Sequence, residues 1–275
     1  MDHVVYRRTK ILATLGPATE SPEVLDRLVK AGVDVVRLNF SHGSPEEHQA
    51  RAERVRAAAK ANGRFVGVLV DLQGPKIRVR RFKKGGILLK HNDDFCLNAD
   101  LARDDGDQTQ VGITYPQLPG DVKENDVLVL DDGMIVLKVR SVEGNKIHTS
   151  VLVGGKLSDG KGINLKGGGL SADALTEKDK EDIKTAALIE ADYVAISFPR
   201  NSGDVKLAKL LLREAGGHGG IVSKIERAEA IENIESITEE SCAIMIARGD
   251  LGVEIGDEQL PAVQKRLIKL ARSMN

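Results

Sequence analysis

GGIVSKIERAEAI, residues 219–231, carries an apolar strand straight into charge. In an extended backbone successive side chains alternate faces, so Lys224 and Glu226 share a direction if the strand runs on through Ile225. ARGDLGVEIG, residues 247–256, does something similar: Arg248, Gly249, Asp250 and Gly252 follow the apolar run AIMIA. Polar residues gathered at the ends of several strands are what a parallel barrel places on its C-terminal face. A lysine ammonium there holds an anion. Glu226 and Asp250 offer two carboxylates, and Mg2+ takes few protein oxygens beside those of substrate and water. Gly249 and Gly252 allow backbone to approach a ligand closely. The same residues also suit a surface salt bridge opening a solvated helix over 226–237.

Working outward, the chain reads as α/β units. KILATLG (10–16), VDVVRLNF (33–40) and FVGVLVDL (65–72) are apolar strands of the kind a sheet covered on both faces uses. Between them Ser21-Pro22-Glu23 opens a helix that Gly32 stops, and Ser44-Pro45-Glu46-Glu47 is a capping box whose helix ends at Asn62-Gly63. From Gly74 to about Gly169 no long amphipathic helix occurs. IRVRRF, GILLK, VLVLDDG, MIVLKVRSV and KIHTSVLVG predict short β segments, with turns at 131–133 and 143–145. Gly154-Gly155 and Gly167-Gly168-Gly169 suit further turns and a return hinge.

The helix–strand rhythm then resumes. A helix over 175–191 is capped by Thr176 with Asp179 at the box position, ADYVAISF (191–198) is a strand, and a helix follows near 202–215. CAIMIAR (242–248) is a sixth strand, and a last helix carries Leu267, Ile268 and Leu270. The fold expected is α/β: a TIM-type (β/α) barrel, incomplete at its C-terminal end, with an inserted all-β lid domain. The boundaries expected are 1–73 and 169–275 for the barrel and 74–168 for the insert. A dinucleotide fold is disfavoured, because no Gly-x-Gly-x-x-Gly follows the first strand and no Walker-type phosphate loop is present.

Composition narrows the classes. With 275 residues, 41% hydrophobic and 29% charged, the chain resembles an ordinary soluble protein, and its net charge of −1 gives no footprint for nucleic acid. No apolar run reaches the ~18 residues of a membrane span. Neither a secretory signal nor a paired-cysteine motif is evident, with Cys96 and Cys242 far apart, so a reduced cytoplasmic setting is expected.

Three other strand ends carry candidates. Arg37 and Asn39 share a face, with Ser41 continuing it. Arg37 suits a phosphate or carboxylate through paired donors, and equally a nearby core acid. His42 suits a structural hydrogen bond or helix entry better than catalysis. Asp71 suits a cation or the orientation of Arg37. Arg78, beyond the stiff Gly74-Pro75 connection, is placed to reach across a cleft. Lys161, in Lys161-Gly162-Ile163-Asn164, suits either a phosphate or solvent.

TLGPAT (14–19), VVRLNFSHG (35–43), DLQGPKIR (71–78), KGIN (161–164), SKIERAEAI (223–231) and ARGDLGVEIGD (247–257) together resemble the pyruvate kinase family, in the family's order and over almost the whole chain. Gln73, Lys76 and LKGGGLSADALTEKDK look most like its bacterial second-isozyme branch. The resemblance implies phosphoryl transfer between phosphoenolpyruvate and ADP, giving pyruvate and ATP in glycolysis. It implies that Lys224 stabilises the transferring phosphoryl group, that Arg37 meets the substrate phosphate, and that Gly249 and Asp250 surround the substrate carboxylate. It further implies Mg2+ on Glu226 and Asp250, and nucleotide handling or cleft closure by Asn39, Ser41, His42, Arg78 and Lys161. The insert resembles the family's mobile lid.

Two departures from the family pattern matter. Many members hold K+ at positions matching Asn39, Ser41, Asp71 and the Leu72 backbone, and usually carry Glu where this chain has Lys76. A fixed ammonium there replaces the cation's charge, so weak or dispensable K+ dependence is expected. The chain also stops at Arg272-Ser273-Met274-Asn275, ahead of the family's strands seven and eight and its C-terminal domain. Six units leave unpaired edges, so poor stability and little activity alone are expected. Full-length members form homo-oligomers largely through the absent parts. Two other readings of the residues stay open: a Mg2+-dependent keto-acid lyase or aldolase on a barrel, and an inactive metabolite-binding chain.

Overall fold

The computed structural model describes residues 7–274. Its strands in chain order begin with β1 (Leu12–Thr14), β2 (Val35–Asn39) and β3 (Gly67–Asp71). The inserted strands are β4 (Gly86–Leu89), β5 (Asp94–Asn98), β6 (Gln110–Gly112), β7 (Val127–Leu130), β8 (Ile135–Glu143), β9 (Lys146–Val153), β10 (Gly155–Ser158) and β11 (Ile163–Leu165). Then follow β12 (Tyr193–Ile196), β13 (Gly220–Ile225) and β14 (Ala243–Ile246). The parallel sheet has the order β1-β2-β3-β12-β13-β14, so β12 docks directly on β3 and the chain re-enters the sheet where it left. This is a curled, incomplete barrel sheet with β1 and β14 at its edges.

Helices α1 (Pro22–Lys30), α2 (Pro45–Ala61), α3 (Leu118–Asp121), α4 (Glu177–Leu188), α5 (Ser202–Glu214), α6 (Ala228–Glu232), α7 (Ile234–Glu240), α8 (Arg248–Ile255) and α9 (Leu260–Ser273) complete the fold. Except for α3, in the insert, they accompany the parallel sheet. Its outer face buries Val36, Leu38, Val68, Val70, Val194, Ile196, Ile221 and Ile225 in one apolar core with residues from these helices. The opposite face carries a small apolar cluster of Leu69, Ala195 and Val222, with Val35, Tyr193 and Met245 partly buried against it. The expected caps are present: Ser21 accepts from Val24 N–H, and Ser44/Glu47 and Thr176/Asp179 form reciprocal boxes. Each satisfies amides that a helix start leaves without partners.

The insert contains a six-stranded sheet, β11-β7-β8-β9-β5-β6, and the pair β10-β4, around its own core of residues such as Leu97, Leu128, Leu137 and Ile147. Ile135, Leu137 and Val139 alternate inward as the pattern predicts. Several details differ from the reading above. IRVRRF makes only isolated bridges, at Arg78, Val79 and Phe82. Gly154 serves close packing rather than a turn, since a Cβ there would lie 2.4 Å from Leu89 O. Residues 226–237 form no single helix: Glu226 continues beyond β13, and α6 and α7 are separated at Asn233. Arg248 opens α8 instead of ending a strand. Leu267 is buried in α9, whereas Ile268 on the neighbouring face is exposed.

Candidate active site

Ile225 is buried outward, so the strand period turns Lys224 and Glu226 to the other face, as the opening stretch predicts. Their Nζ and Oε1 atoms are 2.9 Å apart. Lys224 Nζ also lies 3.3 Å from Asp71 Oδ1, at the end of β3, and donates to Ser197 Oγ at 2.7 Å, just beyond β12. Asp71 is clasped from the other side by Arg37 of β2, whose Nε donates to Oδ2 at 2.6 Å. Arg37 also donates to Thr14 Oγ1 of β1 at 3.0 Å. Five neighbouring strands thus contribute to one polar chain at the sheet mouth.

Burial dominates the electrostatics. It pushes the Glu226 carboxyl up to about 7, and the Asp250 charge adds to this against the pull of Lys224. Burial alone would lower the Lys224 ammonium, but Glu226 and Asp71 outweigh it and hold its pKa above the ordinary value. Glu226 is fixed further by the Phe198 N–H, which donates to Oε2 at 2.8 Å. Asp71 Oδ1 is buried and receives no hydrogen bond, despite its ion pair.

Asp250 sits in the first turn of α8, and Lys76 Nζ reaches it at 3.6 Å from the start of the insert. The amides of Arg248, Gly249 and Asp250 precede the first intrahelical bond, from Leu251 N–H to Ala247 O. Such amides face an anion readily. A Cβ built at Gly249 meets nothing within 4 Å, so internal packing does not explain the glycine there. The crowding at Gly252 is different, because its Cβ would meet the Asp257 carboxylate.

The remaining sequence candidates lie outside this polar chain, except that the Leu72 carbonyl touches it through Ser197. Asn39 Oδ1 accepts from Ser41 N–H at 3.1 Å in a local turn. His42 is exposed, and its carbonyl accepts from His48 Nε2 at 2.9 Å. Arg78 donates to Gly160 O at 2.8 Å, and Lys161 pairs with Asp131 at 2.8 Å, both within the insert. Leu72 O accepts from Ser197 Oγ at 2.7 Å.

Residues that sequence reasoning missed border the site. Thr14 supports Arg37, and Ser197 supports Lys224. Phe198 adopts φ +57, a rare conformation for a bulky residue and an indicator of a functional corner. Arg227, buried, places its guanidinium 5.6 Å above the Phe198 ring and donates to Leu170 O at 3.1 Å. Glu254, also buried, accepts from Ala228 N–H at 2.9 Å. Its carboxyl is pushed up to about 7 by burial first, with the nearby Glu229 charge adding to it. Nothing in the local sequence marks these residues, because their neighbours come from distant segments.

Glu226 and Asp250 are the carboxylates that could hold a hard cation, and they interact electrostatically. Two carboxylates that leave positions to substrate oxygens and water match Mg2+ chemistry. Fold and site together define an α/β-barrel protein that gathers charged side chains from neighbouring strands at one mouth of its sheet. The family model for the pyruvate kinase barrel domain matches residues 6–275, and the chain belongs to the pyruvate kinase family. It is 55% identical over 272 residues to pyruvate kinase II of Salmonella typhimurium, covering 98% of this chain and 57% of that protein. A pyruvate kinase of Haemophilus influenzae is 54% identical with the same coverage, and one of Mycobacterium intracellulare is 46% identical over 97% of this chain and 56% of its own length. The chain therefore spans little more than half the length of these relatives. Among the described residues no helix is long and apolar enough to cross a membrane.

Proposed function

We propose that this chain carries the phosphoryl-transfer site of a cytoplasmic pyruvate kinase, acting on phosphoenolpyruvate and ADP. The observation that carries this reading is Lys224 held between Glu226 and Asp71 at the mouth of the parallel sheet. Lys224 and Arg37 bind the phosphoryl group, and the free amides at the start of α8 receive the substrate carboxylate. Glu226 and Asp250 would hold Mg2+, which would supply charge compensation for the phosphoryl group. The P–O bond of phosphoenolpyruvate breaks, the phosphoryl group passes to ADP, and pyruvate leaves as its enolate before taking a proton. Stabilising the dispersed charge and aligning donor with acceptor are the main needs of such a transfer. Residues 74–168 act as the lid between barrel segments 1–73 and 169–275, with Asn39, Ser41, His42, Arg78 and Lys161 handling nucleotide on closure. The test is pyruvate formation from phosphoenolpyruvate, ADP and Mg2+, and its absence from the assembled enzyme overturns the reading.

The donors proposed for K+ are largely engaged: Asn39 by Ser41, Asp71 by Arg37 and Lys224, and Leu72 O by Ser197. Lys76 already places an ammonium beside Asp250. Turnover in Na+ or Tris without K+ is therefore expected to approach that with K+. A fall of more than about tenfold would sink this expectation.

Mg2+ is expected to raise the melting temperature by binding the folded chain selectively, with ~1–3 kcal/mol gained at concentrations well above Kd. Glu226→Gln and Asp250→Asn should each remove most of that increment in a thermal melt. An undiminished increment in both would move the metal elsewhere.

A further inference from the structure

Ser197 is 1% exposed, and its hydroxyl is committed on both sides. A serine hydroxyl has one proton to donate. Leu72 O takes it at 2.7 Å, which turns a lone pair toward Lys224 Nζ, also at 2.7 Å. Lys224 thus faces three partners, Ser197, Glu226 and Asp71, at 2.7, 2.9 and 3.3 Å. The two carboxylates are the contacts that an incoming cation or phosphoryl group competes for. The neutral hydroxyl is not.

Ser197 is also built against the outgoing connection to the insert. Gly74, with φ +67, lies so close that its added Cβ would stand 2.6 Å from Ser197 Cβ. Gly74 N–H is anchored on Asp179 Oδ1 at 3.0 Å, and Leu72 lies two residues before it. The next residue, Phe198, grips Glu226 through its N–H and lies beneath Arg227, which bonds the returning segment at Leu170 O. The corner therefore touches the Lys224–Glu226 pair and both connections of the insert.

We propose that Ser197 is a positioning residue for Lys224: its hydroxyl, aimed by Leu72 O, keeps the ammonium at the sheet mouth while the carboxylates exchange partners, and ties it to the outgoing connection. The role in turnover rests on the phosphoryl-transfer reading. The tie itself does not.

The experiment compares wild type, Ser197→Ala and Ser197→Cys. Cysteine nearly preserves packing but is a weak acceptor. Each protein is briefly exposed to limiting trinitrobenzenesulfonate at one pH, and peptide mass spectrometry compares modification of Lys224 with that of exposed Lys60. The Lys224/Lys60 ratio is expected to rise about fivefold or more in both variants, the scale of one lost hydrogen bond. A wild-type ratio in either variant overturns the proposal, because packing alone would then hold the lysine. Circular dichroism checks the fold, and the near-isosteric cysteine decides if the alanine variant unfolds. In turnover, Ser197→Ala is expected to lower kcat roughly 10–100-fold with KM for ADP unchanged. Equal loss through KM, or unchanged kcat, overturns its part in the reaction. Turnover is read on the assembled enzyme; if wild type has none there, the functional reading fails and the labelling ratio alone decides the tie.

Discussion

Lys224→Met is expected to lower pyruvate formation by at least about a thousandfold, the scale of removing a preorganised charge from a transferring group. Methionine keeps much of the apolar stem but removes the ammonium that faces Glu226, Asp71 and Ser197. The folded state also suffers. Breaking one side of a buried ion pair typically costs ~3–5 kcal/mol, because the partner remains buried and charged. Two features place this case near the lower end. Glu226 already takes up a proton near neutrality, and Asp71 retains Arg37. Lys224→Arg should rescue stability more than activity, because a planar guanidinium restores charge without reproducing the three contacts of an ammonium. Turnover and thermal melts on the same preparations separate these effects. A folded Met variant with wild-type kcat would remove Lys224 from the phosphoryl site.

The Lys224–Glu226 pair was legible because strand periodicity is local: two residues separated by one buried apolar neighbour must share a face. The caps at Ser21, Ser44 and Thr176 were legible for the same reason, since cap and partner lie within a few residues. The contact of Lys224 with Asp71 was not. It depends on β12 entering between β3 and β13 after the whole insert has been traversed. Ser197 looks like an ordinary residue after an apolar strand until that order places Lys224 on one side and Leu72 on the other. Arg248 misled the reading because a strand followed directly by a helix leaves no loop composition between them. Arg227 falls within the solvated helix that spacing offers over 226–237, and Glu254 carries no local signal. Arg227 meets the returning segment at Leu170 and Ala172, and Glu254 meets Ala228, contacts that local spacing does not mark.

Stability is expected to fall as pH rises from about 5 to about 8, opposite to the usual behaviour of salt-bridged carboxylates. Glu254 is 3% exposed, and its pKa rises from 4.5 to about 7 in the folded chain. Between those values the native state holds a proton that the unfolded state has released. Unfolding therefore releases protons, and stability declines with pH until the native carboxyl also ionises near 7, where the loss levels off. The rise corresponds to roughly 3 kcal/mol for a single group. Glu226, 1% exposed and also near 7, acts in the same direction. Saturating Mg2+ should restore part of the loss at pH 8 by favouring its ionised form. Glu254→Gln keeps an acceptor for Ala228 N–H and removes the charge, while Arg227 retains Leu170 O. The variant should melt with a flatter pH profile and approach or exceed wild type at pH 8. Half-buried carboxylates such as Asp34, held below their ordinary range first by a backbone hydrogen bond, lose their contribution only at lower pH. Denaturant unfolding at intervals from pH 5 to 8.5, without Mg2+, reads the slope directly. Wild-type stability that climbs across this range would mean that Glu254 and Glu226 remain ionised in the folded chain, and that their cationic neighbours outweigh burial.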